Sequence, residues 1–281
     1  MVQPISVSPS LAHVLNTAGE RSGVDFDYLL RTAVRESSLN PKAKAQTSSA
    51  TGLFQFIEST WLEVMKSDGP RLGYQKFADA ITTDSDGDYV VADKSLRQEI
   101  LKLREDPQVA ADLAAAFTRN NGAYLHQRFG RMPSPGELYI AHFLGARGAE
   151  KMFVAGLDNP DQIAAKLFPK QARANPSIFY DSDGARTIRE VYRALVAKHG
   201  AAGAPPKVDS NFAAQQIASS PASGPHPKWP EAQPLPSRFG PDDMSFNGLF
   251  TTETQLQPRT LLTEQGEEAS DPALFSNFYA P

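Results

Sequence analysis

Glu36 is the residue of this chain whose setting best fits acid–base chemistry. It lies in the last turn of a predicted helix at residues 26–37, at the edge of an apolar sector with helical spacing. Partial burial there and the negative end of the helix dipole would both raise the pKa of the carboxyl. A carboxyl that stays protonated near neutral pH can donate a proton to a glycosidic oxygen. The alternative is a solvated surface glutamate, which helical position alone favours.

The residues that follow the acid suit an extended sugar ligand. An Asn-Pro pair at 40–41 ends the helix, because the residue before proline disfavours the α conformation. The small side chains of residues 45–52 would let a ligand approach the backbone. Phe54 and Gln55 then offer a ring and an amide, which match the apolar faces and the hydroxyls of sugars. Core packing is the alternative for Phe54 and for Phe56.

The order of these elements resembles the first two motifs of the soluble lytic transglycosylase family. The family pattern is Glu-Ser, Asn-Pro, a loop of small residues and Gly-Leu-(Met/Phe)-Gln. This chain has ESSLNP at 36–41 and GLFQ at 52–55. The segment ELYIAHFLGARGA at 137–149 resembles the third motif, in which Ala-Tyr-Asn-Ala-Gly closes the cleft. Together the motifs span residues 26–150.

The resemblance implies a lysozyme-like α-helical fold with Glu36 as the single catalytic acid and base. In the family, this acid protonates the oxygen between N-acetylmuramic acid and N-acetylglucosamine. It then accepts the proton of the muramyl C6 hydroxyl, which closes on C1 and leaves a 1,6-anhydro end. The substrate supplies the nucleophile, so the second carboxylate of most glycosidases is not needed. The residues assigned to substrate binding are Ser37, Ser48, Ser49, Phe54, Gln55, Tyr139 and His142.

The third motif departs from the family pattern at two positions. His142 and Phe143 stand where the family has Tyr and Asn, so the contact of that tyrosine with the acid is lost unless His142 or Tyr139 replaces it. A neutral imidazole at residue 142 could donate an N–H to the acid, or it could be a packed core histidine. The loop of small residues is one residue longer than the common form. The sequence does not choose between Ser48 and Ser49 as the serine near the acid.

Other acidic residues have simpler explanations. Glu58 and Glu137 lie near predicted helix N-termini, where capping and the helix dipole favour a carboxylate. The DSDGD run at 84–88 is similar to the start of a calcium loop, but Tyr89 and Ser95 stand where such a loop has Gly and Glu. We interpret the run as a solvated acidic turn, and we predict no metal site and no cofactor.

Composition excludes several classes of function. The 28 basic and 32 acidic residues provide no net positive charge for binding nucleic acid or an anionic membrane. The absence of cysteine excludes disulfides, thiolate metal sites and cysteine nucleophiles. No segment approaches the roughly 18 apolar residues of a membrane span, and we recognise no secretory signal at the N-terminus. The family substrate implies a place in the periplasm or cell envelope, by an export route that the sequence does not identify.

Helical periodicity dominates the first 200 residues and predicts a mostly α domain. Start signals include Ser59, Asp106-Pro107 and Ser134-Pro135 with Glu137. Residues 88–93 are the one candidate strand. The predicted helices lie at 10–20, 26–37, 58–66, 94–103, 108–129, 135–145, 148–155, 159–167 and 184–198.

Composition changes near residue 200. The last 81 residues hold 12 of the 22 prolines, with 4 basic and 9 acidic residues and no sustained periodicity. We predict a catalytic domain over residues 1–200 and a disordered, proline-rich acidic tail over residues 201–281. The tail could contact a partner in an envelope machine. We expect a monomer that binds the glycan strands of peptidoglycan.

Two other functions fit part of the pattern. A hydrolytic muramidase of the same fold would use water as the nucleophile and a second acid to position it. A non-catalytic protein that binds peptidoglycan or assists assembly would fit the altered third motif and the missing signal. The intact acid and the intact second motif favour the transglycosylase.

Overall fold

A computed structural model describes residues 7–46 and 48–200, and this part of the chain is mostly α-helical, as predicted. The helices are α1 (Pro9–Ser22), α2 (Phe26–Ser37), α3 (Glu58–Leu72), α4 (Gln75–Asp79), α5 (Lys94–Lys102), α6 (Pro107–Phe129), α7 (Pro135–Leu144), α8 (Ala146–Asp158), α9 (Ala164–Leu167), α10 (Pro169–Ala174), α11 (Pro176–Phe179) and α12 (Ile188–Gly200). Two antiparallel hairpins pair β1 (Thr82–Thr83) with β2 (Tyr89–Val90) and β3 (Tyr180–Asp181) with β4 (Gly184–Ala185).

Capping side chains define where three of the central helices begin. At the start of α2, Asp25 accepts a hydrogen bond of 3.0 Å from the N–H of Tyr28. Asp106 caps α6 in the same way, with a proline at the first helical position. Ser134 and Glu137 form a capping box at α7. The starts predicted for α6 and α7 are therefore confirmed.

The observed elements differ from the predicted ones in length at several points. α3 continues to Leu72, past the predicted end at 66, and closes at Gly73 with φ of 94°. α12 begins at Ile188 instead of 184, because residues 180–185 form the second hairpin. α4, α10 and α11 have six residues or fewer, too few to show helical periodicity. The predicted strand contributes β2.

α6 is the central helix and takes part in two hydrophobic clusters. Its first half, from Val109 to Phe117, packs with α1, α2 and α3. Its far end contributes Leu125 to a second cluster with α7, α8 and α12. The first half is rich in alanine, and these small side chains allow neighbouring helices to approach closely. α2 and α7 therefore meet beside α6, where the site lies.

The predicted tail at 201–281 lies outside the described residues. Among the helices of the described ranges, none combines the length and the apolar character needed to cross a membrane.

Candidate active site

Glu36 lies in the last turn of α2, where the helix meets the core. Leu29 and Ala33 of the same helix are buried, and Glu36 itself is only 7% exposed. Burial raises the pKa of its carboxyl, and the charges of Arg35 and Lys198 oppose that rise. A carboxyl with a raised pKa keeps its proton to a higher pH than a solvated glutamate does. This environment agrees with the one that the sequence predicts for a proton donor.

A left-handed turn follows the acid. Ser38 has φ of 50° and Leu39 has φ of 66°, a region that costs about 1–2 kcal/mol for an L residue. The N–H of Ser38 donates to the carbonyl of Val34 over 2.8 Å. The hydroxyl of Ser37 lies 2.8 Å from the carbonyl oxygen of Leu53. These bonds fix the turn and attach the end of α2 to the loop of the second motif.

Arg35 is the charged residue closest in sequence to the acid, and its side chain is buried. Its Nε lies 3.4 Å from Oε1 of Glu36, and its guanidinium carbon lies 3.7 Å from the ring centroid of Tyr139. Its two terminal nitrogens contact Thr32 Oγ1 at 3.3 Å and His199 Nδ1 at 3.0 Å. We did not predict this residue from the sequence, although an arginine directly before the acid was visible there.

α7 brings both candidate replacements for the family tyrosine close to the acid. Nε2 of His142 lies 3.8 Å from Oε1 of Glu36, which is longer than a hydrogen bond. Burial and the charge of Arg35 hold the pKa of His142 well below its usual value, which favours the neutral imidazole. Tyr139 is buried beside Arg35, and its pKa is raised chiefly by desolvation. Their proposed contact with substrate stays a prediction.

The end of α12 supplies two further groups that sequence reasoning missed. The ring of His199 lies close to those of Tyr28 and Tyr139, with centroid distances of 5.4 and 5.9 Å. The charge of Lys198 acts on Glu36, and burial lowers the pKa of Lys198. His199 also lines a cavity of about 510 Å³ beside the first half of α2. No motif of the sequence pointed to α12.

Arg104 holds the loop of the second motif in place through two hydrogen bonds. Its guanidinium donates to the carbonyl oxygen of Ser49 over 2.7 Å and to that of Phe56 over 3.1 Å. Isolated bridges also join Thr51 to Lys44 and to Phe56. The loop is therefore a compact folded-back unit. Arg104 comes from the short 3₁₀ turn before α6, too far along the sequence for local patterns to reveal its role.

Phe54 and Gln55 are buried within that loop. Phe54 is 0% exposed and Gln55 is 1% exposed. The amide of Gln55 donates to the carbonyl of Gly52 over 2.6 Å and to that of Ala43 over 3.1 Å, and its φ of 51° is left-handed. Neither side chain presents a surface to a ligand in this structure. Both side chains pack inside the loop, and their proposed contact with a sugar stays a prediction.

The two serines of the loop occupy different environments. Ser48 is half-buried, and its hydroxyl accepts from the N–H of Ala50 at 3.3 Å. Ser49 is exposed, and its hydroxyl accepts from the N–H of Glu58, the first residue of α3, at 3.2 Å. Ser49 thus links the loop to the start of α3, and the choice of serine near the acid stays a prediction.

The other acids singled out in the sequence have structural partners. Glu58 pairs with Arg97. Glu137 is buried and pairs with Arg131 at 2.6 Å while completing the capping box of α7. The acidic run at 84–88 forms the turn of the first hairpin, where backbone N–H groups donate to a side chain of the run. In the part of the chain that the structure describes, no three His, Asp or Glu side chains gather as metal ligands.

A family model agrees with this geometry. Residues 13–82 match the model described as the transglycosylase SLT domain, and this range contains most of α1, α2 with Glu36, the second motif and α3. The match indicates a function of the lytic transglycosylase type that acts on peptidoglycan. The third motif and α12 lie outside the matched range. Over residues 13–82 the chain is similar to the transglycosylase SLT family, which confirms the resemblance drawn from its first two motifs.

Proposed function

We propose that the chain is a peptidoglycan lytic transglycosylase. It cleaves the β-1,4 bond between N-acetylmuramic acid and N-acetylglucosamine and leaves a 1,6-anhydro end on the muramyl residue. Glu36 acts first as the acid and then as the base. We assign catalysis to residues 1–200 and place the activity in the cell envelope, where the substrate lies.

The observation that carries this proposal is the environment of Glu36. The charged groups that act on its carboxyl are the cations Arg35 and Lys198, and burial raises its pKa. The other buried carboxylates of the described residues each lie 2.5–2.7 Å from an arginine nitrogen, whereas Nε of Arg35 lies 3.4 Å from Oε1 of Glu36; they are Asp68, Asp112 and Glu137. A buried carboxyl with a raised pKa, and with cations but no second carboxylate among the described groups that act on it, suits a reaction in which the substrate provides its own nucleophile, whereas most hydrolytic glycosidases use paired carboxylates.

The reaction is balanced in atoms and protons. The carboxylic acid of Glu36 transfers its proton to the bridging oxygen, and the bond from that oxygen to C1 of the muramyl sugar breaks. The muramyl C6 oxygen then bonds to C1, and its proton passes to the carboxylate of Glu36. The acid is regenerated and no water is consumed. While Glu36 is ionised, the positive charges of Arg35 and Lys198 stabilise the carboxylate.

Analysis of the digestion products tests this function. Purified sacculi are digested with the full chain, and the released muropeptides are treated with borohydride and examined by mass spectrometry. We expect muramyl ends that borohydride does not reduce, as for 1,6-anhydro sugars. Reducible muramyl ends alone would support the hydrolytic muramidase instead. Binding to sacculi with no released product would support the non-catalytic alternative.

A further inference from the structure

The arginine before the acid is held by a residue from the last helix of the described chain. Nη1 of Arg35 lies 3.0 Å from Nδ1 of His199, 164 residues later in the sequence. A guanidinium can only donate hydrogen bonds, so Nδ1 must be the acceptor. The imidazole of His199 is therefore neutral, with its proton on Nε2. Burial and the charges of Arg35 and Arg31 lower the pKa of His199 to about 4, which agrees with a neutral ring.

The rings of two tyrosines lie beside this imidazole. The ring of Tyr28 is inclined to it by 32° and that of Tyr139 by 27°. Tyr139 also carries the guanidinium of Arg35 on its face, and the side chain of Arg35 is only 5% exposed. The guanidinium is thus enclosed on several sides, and its Nε is left beside the carboxyl of Glu36.

We propose that Arg35 is a positioning residue for the acid Glu36, and that His199 holds the guanidinium of Arg35 against that acid. This proposal rests on the proposed function. The charge of Arg35 opposes the rise in pKa that burial imposes on Glu36 and favours the carboxylate that remains after proton donation. His199 acts through Arg35. α12 is consequently part of the site, although it lies outside the range that matches the family model.

The pH dependence of this site involves groups from three helices. They are Tyr28, Arg31, Arg35 and Glu36 on α2, Tyr139 and His142 on α7, and Lys198 and His199 on α12. A substitution that removes the charge of Arg35 leaves the charge of Lys198 in place. The pKa of Glu36 should therefore shift, and the carboxyl should still titrate.

The test measures the pH–rate profile on sacculi at low substrate concentration. On the alkaline limb of this profile, loss of the Glu36 proton ends activity. In the full chain, Arg35→Met should move this limb upward by about one pH unit, since a cation within ~4–6 Å favours the charged form of an acid. His199→Phe keeps a ring for stacking but lacks the acceptor, and it should shift the limb in the same direction. His199→Asn offers an acceptor oxygen close to the position of Nδ1 and should keep the limb near its original place.

A double variant tests whether the two residues act as one unit. Arg35→Met with His199→Phe should shift the limb no further than Arg35→Met alone. An unshifted limb in His199→Phe, or additive shifts in the double variant, would overturn the proposal.

A second readout does not depend on turnover. ¹³C NMR titration of the Glu36 side chain in the same variants should show the same upward shifts. If the wild type released no anhydro products but the titration of Glu36 still responded to Arg35 and His199, the proposed function would fail and the positioning role would stand. A titration that ignored both substitutions would overturn the positioning role.

Discussion

The α-carbon of Gly52 lies against the backbone of Arg104, so closely that a Cβ at residue 52 would be 1.9 Å from the Arg104 carbonyl oxygen. The φ of Gly52 is also left-handed, at 87°. The glycine of the second motif is therefore required by the space around it as well as by its own backbone conformation. This contact is one reason why the loop can fold back onto the turn before α6.

Gly52→Ala should unfold the loop or displace it from Arg104, and activity on sacculi should fall with it. Gly73→Ala is the matched control, because Gly73 has φ of 94° but no atom within 4 Å of an added Cβ. The control should lower the free energy of unfolding by about 1–2 kcal/mol, because alanine is unfavourable in the left-handed conformation of residue 73. Equal losses of thermal stability in the two variants would show that the contact with Arg104 adds nothing.

Gln55→Ala should reduce stability because it removes two hydrogen bonds inside the loop. The two carbonyl acceptors are left without that donor, at a cost of about 1–3 kcal/mol. Gln75→Ala is a control on an exposed amide that bonds Asp79, and it should change the free energy of unfolding little. Urea unfolding compares the two. A Gln55→Ala variant that kept its stability but bound substrate more weakly would show that this amide contacts the sugar directly.

Much of this site follows from local sequence. The apolar sector of α2 predicts the burial of Glu36, and Asp106-Pro107 and Ser134-Pro135 predict where α6 and α7 begin. These features depend on neighbours within one helix. The contacts of Arg104 and His199 do not follow from local sequence. They join residues that are 55 positions apart for Arg104 and 164 positions apart for His199. The sugar contacts expected of Phe54 and Gln55 rest on their residue types, and the same types serve packing and backbone hydrogen bonds inside this loop.

Glu36→Gln should change how stability depends on pH. The folded pKa of Glu36 is raised above its ordinary value of 4.5, so its stabilising contribution is complete below that value and is lost as the pH rises toward the folded pKa. The glutamine has no such loss. The difference in unfolding free energy should therefore grow in favour of Glu36→Gln above pH 4.5, by up to about 1.4 kcal/mol per pH unit. Urea unfolding from pH 4 to 8 measures it, and a constant difference would contradict a raised pKa.

His142→Phe should lower turnover without moving the acidic limb of the pH–rate profile. If His142 titrated beside Glu36, its protonation would lower the pKa of the acid and move that limb. Burial holds the pKa of His142 well below its usual value, which favours the neutral ring, and its Nε2 lies 3.8 Å from Oε1 of Glu36. The pH–rate profiles of the wild type and of His142→Phe test this prediction. A limb that moved in the variant would show that His142 titrates during catalysis.

The central claim is that Glu36 is the one acid and base of a reaction that yields 1,6-anhydro ends. The most direct test is the rate of release of anhydro-muropeptides from sacculi by the wild type and by Glu36→Gln, with folding of both verified by circular dichroism. Glutamine preserves the shape of the side chain and removes its proton. We predict a loss of at least about 10³-fold in rate with the fold intact. Release of anhydro products by Glu36→Gln at close to the wild-type rate would contradict the claim.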